Sequence, residues 1–147
     1  MRKSLKSQVG VLALSAVIIA VPVIGFAGLA DAKANAVPIK ASVSGTFTSH
    51  FPDLTYAGTG NASHLGKIGY STSAGLLTFT ETLTAANGDI LTLLDQTTII
   101  SGSEATGQWT VVGGTGRFSG ATGSGTSDTI HTGANNFTQT WTGSINY

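Results

Sequence analysis

Cysteine is absent from this 147-residue chain. No disulfide framework, thiolate zinc site or lipid-modified cysteine anchor can form. Charge is scarce as well. Lysine and arginine total 7, aspartate and glutamate total 7, and charged residues make up only 10% of the chain. Few helix-favouring charged side chains are therefore available. Glycine, at 20 positions, and threonine fill the space instead, which points to an all-β protein. Aliphatic and aromatic residues recur in every segment, which argues against disorder. The length suits a single domain.

The start of the chain differs from the rest. Arg2, Lys3 and Lys6 precede an apolar run over residues 9–20, and Pro22 follows. Small residues then include Ala32, Ala34 and Ala36 in A-x-A spacing. A basic start, an apolar middle and a small-residue end are the parts of a secretory signal peptide. Residues 1–36 are expected to be that peptide, with cleavage after Ala34 or Ala36, and the mature protein to be secreted, extracellular or periplasmic. An uncleaved membrane anchor competes, since apolar residues continue to Ala30, but Pro22, Gly25 and Gly28 interrupt it. No membrane association is expected after cleavage. The remainder, residues 37–147, carries Lys40, Lys67 and Arg117 against Asp53, Glu81, Asp89, Asp95, Glu104 and Asp128, a net charge of 3 − 6 = −3. A surface without a basic patch is a poor partner for nucleic acid.

Eight extended runs are expected, over residues 39–49, 54–62, 65–72, 76–85, 90–101, 106–112, 118–131 and 136–147. Turn chemistry separates them at Pro52-Asp53, Gly75, Asn87-Gly88 and Gly133-Ala134-Asn135. Eight strands with short connections fit an eight-stranded antiparallel up-and-down barrel, which leaves no raw edge. A two-sheet sandwich is the alternative. Residues 111–125 are the densest feature. Gly113, Gly114 and Gly116 follow β-formers at Trp109, Val111 and Val112. Beyond them Ser119, Ala121, Gly123 and Gly125 give one parity almost no side-chain volume, which suits a close approach by another segment.

The corner from Gly113 to Phe118, with Ala121 and Gly123 beyond it, resembles the hairpin shared by dirigent proteins and allene oxide cyclase barrels. Residues 58–67 resemble a stretch of secreted bacterial relatives of unknown function. The resemblance implies a calycin-like eight-stranded barrel over residues 39–147, self-association as a homo-oligomer such as a trimer, and an isomerase or cyclase activity of that type on an apolar intermediate.

Alternation separates inside from outside. Phe137, Gln139, Trp141, Ile145 and Tyr147 share one parity of the last run, opposite Thr138, Thr140 and Thr142. Ile39, Ala41, Val43 and Phe47 do the same in the first run, and Leu77, Phe79, Glu81 and Leu83 in the fourth. The apolar parities should face inward and the threonines water. The fifth run carries Leu91, Leu93, Leu94, Ile99 and Ile100 on both parities, so a second subunit could cover its outer face.

Glu81 is then a carboxyl among apolar neighbours, whose pKa burial would raise. A place near the barrel mouth, reaching water, is the plainer expectation. A two-residue hairpin at Asn87-Gly88 would set Glu81 opposite Leu94 and bring Gln96 to the same side. Glu81 and Gln96 would hold the polar group of a ligand in a cup lined by Phe79 and Trp141. His50, His64 and His131 lack metal-site spacing and suit strand ends, His64 as a base or bonded to a turn carbonyl. Arg117 belongs at a solvated tip, and Trp109 and Trp141 in the core or at its rim. No cofactor is expected. The expected role is non-catalytic binding of a small hydrophobic ligand or an envelope-associated module. An isomerase or cyclase, and a surface adhesin using its Thr78, Thr80, Thr82 and Thr84 array, stand beside it.

Overall fold

A computed structural model describes residues 36–47, 54–75 and 77–147. The expected signal peptide cleavage region and His50 lie outside the described residues, apart from Ala36. The eight strands are β1 (Val37–Phe47), β2 (Thr55–Ala62), β3 (Gly66–Ala74), β4 (Thr78–Ala85), β5 (Ile90–Ser101), β6 (Glu104–Gly114), β7 (Thr122–His131) and β8 (Asn136–Asn146). Each pairs antiparallel with the next, and β1 pairs with β8 from Val37↔Ile145 to Thr46↔Asn136, closing the barrel. The expected architecture is the one observed, and the sandwich is not.

Parity works as expected in β1, β4 and β8. Ile39, Ala41, Val43, Leu83, Phe137, Trp141 and Ile145 are buried in the interior, each 6% exposed or less. Burying side chains of this size is the main favourable term for such a ring, about 1.5–3 kcal/mol each. Tyr147 departs from the pattern and is 46% exposed, beyond the end of β8.

The glycine-rich corner is not a plain hairpin. β6 runs to Gly114, a 3-10 turn spans Gly116–Phe118, and β7 starts only at Thr122. Phe118 is therefore not a strand residue. It is fully buried and plugs one end of the barrel, its ring 5.0 Å from that of Tyr147. Gly116 takes φ +59, where a Cβ would collide with the Asp89 carboxylate. Arg117 beside it pairs with Asp89 at 3.3 Å and lies over the Phe118 ring, so it is a partnered residue at the closed end. The small-residue parity of β7 does receive another segment. Trp109 is buried against Gly125 and Gly143, and a Cβ on either would strike its indole. Its Nε1 donates to the Thr126 carbonyl at 3.0 Å.

The β4–β5 connection corrects an expectation. Ala85, not Ala86, opposes Asp89: Ala85 N donates to the Asp89 carbonyl and Gly88 N to the Ala85 carbonyl. The loop has three residues, with Gly88 at φ +89. This shifts the pairing by one, so Glu81 faces Leu93 and Phe79 faces Asp95. A one-residue shift reverses every side chain of the partner strand. Gln96 consequently lies exposed on the outer surface, and Asp95 takes the inward place. Two irregularities in the β5–β6 ladder settle the ambiguous fifth run. One sets Val112 aside between Thr92 and Leu93, and one sets Thr98 aside between Thr97 and Ile99. Leu91 and Leu93 are buried, Leu94 and Ile99 face out, and Ile100 stands at the mouth.

Candidate functional site

The barrel ends differ. One is closed by Phe118 and Leu65, both buried. The other, where β4 begins and β5 ends, holds a cavity of about 150 Å³. Leu54, Tyr56, Leu77, Phe79 and Ile100 give it apolar walls. Tyr56 packs edge-on against Phe79 and Phe137, with ring centroids 5.9 and 5.1 Å apart. Its buried polar groups are Tyr70, Glu81, Asp95, Ser127 and Gln139.

Five strands supply these groups: β3 gives Tyr70, β4 Glu81, β5 Asp95, β7 Ser127 and β8 Gln139. All point inward by strand alternation and all are at most 5% exposed. Glu81 does not reach water at the mouth. It lies one layer deeper than Phe79 and is 1% exposed. Trp141 Nε1 donates to its Oε2 at 2.7 Å, and Gln139 Nε2 donates to its Oε1 at 2.6 Å. Gln139 Nε2 also reaches Asp95 Oδ2 at 3.5 Å.

The network accommodates a proton on Glu81. Tyr70 Oη lies 3.0 Å from Glu81 Oε1 and 3.0 Å from Gln139 Oε1. One hydroxyl hydrogen can be given to one of these oxygens or shared between them. A proton on Glu81, donated to the hydroxyl, would satisfy both contacts in full. Turning the Gln139 amide over places its oxygen against Glu81 instead, and that contact needs a carboxyl proton. A protonated Glu81 fits the contacts in either orientation. The electrostatics agree. Burial, then the neighbouring charge of Asp95, raise its pKa from 4.5 to about 8, against the lowering effect of the Gln139, Trp141 and Tyr70 bonds. Burial and Glu81 likewise push the Tyr70 phenol well above its usual range. Burial also raises the Asp95 pKa, opposed by the Ser127 hydroxyl beside it.

Of the four residues singled out for ligand contact, Phe79 and Glu81 line the cavity together. Trp141 lies behind Glu81 as its hydrogen-bond donor and does not line the cavity, and Gln96 is outside the barrel. Sequence reasoning passed over Tyr70, Asp95 and Gln139 as partners of Glu81. Asp95 shares the parity of Leu91 and Leu93, and that was the signal available for it. His64, at φ +68 in the β2–β3 turn, bonds the Pro38 carbonyl at 3.0 Å and is remote from the cavity, whereas His131 lines it. Among the described residues no three histidines or acids converge to hold a metal ion.

Fold and site together define a closed antiparallel β-barrel with a buried acid of raised pKa and a second carboxyl at the inner end of a mouth cavity. No family model, curated protein or solved structure matches the chain.

Proposed function

We propose that this barrel is an exported, non-catalytic binding protein for a small, largely apolar ligand taken up at the mouth. One observation carries the reading: apolar walls converge on a few buried polar groups, the usual composition of a ligand pocket. The signal-like start supports export, and a mature chain beginning at Asn35 or Val37 is the expected mass. Native mass spectrometry after exposure to a broad lipid extract tests the binding. The wild-type barrel should retain a small molecule. Thr97→Phe, which fills the cavity from the wall, should release it. No retained molecule, or equal retention by Thr97→Phe, overturns the reading.

A second reading rests on the proton held by Glu81. A neutral acid beside Tyr70 can donate hydrogen bonds to negative charge developing on an apolar intermediate, as an isomerase or cyclase requires. Turnover unchanged by Glu81→Gln would remove Glu81 from such a mechanism.

A further inference from the structure

Asp95 is the group that the hydrogen-bond network leaves incomplete. It is 3% exposed, and its Oδ1 has no hydrogen-bond partner among the described residues. Its other oxygen has a long contact to Gln139, and the Ser127 hydroxyl lies beside the carboxylate. A buried acceptor without a donor is destabilising until a donor arrives. The carboxylate belongs to the cavity wall. Gly107, opposite Thr97 on β6, faces this oxygen, and a Cβ there would overlap Asp95 Oδ1 and crowd Ser127 Oγ. The missing Cβ at Gly107 is what lets the Asp95 carboxylate pack against β6 at the cavity wall.

Charge decides what kind of donor. The Glu81 proton leaves Asp95 as the charge of the pair, since two neighbouring carboxyls do not both ionise readily. Glu104 adds a second acid at the rim. No lysine or arginine is among the lining residues described. A carboxylate or phosphate ligand would meet like charge, whereas a cation would meet opposite charge in a site of low polarity. The size is bounded too. A void of about 150 Å³ accommodates one benzene-sized group.

We propose that the cavity binds small apolar amines, with the protonated amine donating to the Asp95 carboxylate and a ring-sized apolar group against Tyr56 and Phe79. This rests on the binding reading above and names its ligand class.

Isothermal titration of the mature barrel at pH 7 with three molecules of similar size tests it: 2-phenylethylamine, 2-phenylethanol and phenylacetate. The amine should bind at least tenfold more tightly than the alcohol, and phenylacetate more weakly than either. Asp95→Asn should lower amine affinity to that of the alcohol and leave alcohol binding unchanged. The wild-type comparison needs no variant, so a misfolded Asp95→Asn would not protect the proposal. Alcohol or phenylacetate binding as tightly as the amine overturns the amine assignment and leaves the cup intact. An amine preference that survives Asp95→Asn has the same effect. Binding of none of the three overturns both.

Discussion

Hydrogen bonds with Tyr70, Gln139 and Trp141 favour the charged form of Glu81, and yet its pKa rises to about 8. Desolvation outweighs them, because the acid is buried and a second carboxyl lies close by. The consequence for stability has a definite sign. The folded pKa lies above the unfolded value, so the folded chain holds more protons between about 4.5 and about 8. Stability is greatest at the acid end of that window, falls by a few kcal/mol as the pH rises through it, and levels off above. Asp95, also raised, adds to the fall at the low end, and Tyr70 contributes only above its usual range near 10. Urea midpoints of the wild type should decrease from pH 5 to pH 9, and those of Glu81→Gln should be much flatter. A flat wild-type profile would contradict a buried neutral acid.

At the level of elements, the β4–β5 turn decides which side chains meet. Ala85 opposes Asp89 across Ala86, Asn87 and Gly88. Deleting Ala86 would keep that pair and leave Asn87-Gly88 as a two-residue loop, the favoured hairpin connection. The deletion should change stability by less than about 1 kcal/mol and preserve the Trp141 environment, as read by intrinsic fluorescence and thermal melting. Loss of the fold would show that the turn, rather than the inward and outward pattern, sets the register. Strand alternation was legible in the sequence because period two needs only neighbouring residues, so Ile39, Leu83, Phe137 and Trp141 were placed correctly. Loop length was not legible. Asn87-Gly88 fits a two-residue turn and a three-residue turn equally well, and the difference of one residue exchanged Gln96 for Asp95 inside the barrel. The partners of Glu81 were hidden for another reason. Tyr70 and Gln139 stand 69 positions apart, and only closure brings them to 3.0 Å. Phe118 shows a third limit: an aromatic after three glycines reads as a strand start, and its role as a plug depends on the 3-10 turn that swings it inward.

On the scale of the whole molecule, closure makes Val37 and Ile145 neighbours. A short linker between them and a new break in the exposed turn at Gly133-Ala134 should give a circular permutant that keeps the barrel and its thermal unfolding transition within a few degrees. Failure to fold would mean that the order of strands along the chain matters beyond their pairing. Seven ladders join strands that follow one another, and one joins the two ends across about a hundred residues. The seven can zip outward from their own turns, whereas the eighth must wait for the ribbon to curl round on itself. Amide protons along this last seam should therefore be the first to trade with deuterium in transient openings. The seam is also where an unfinished molecule would offer two bare edges to a second chain.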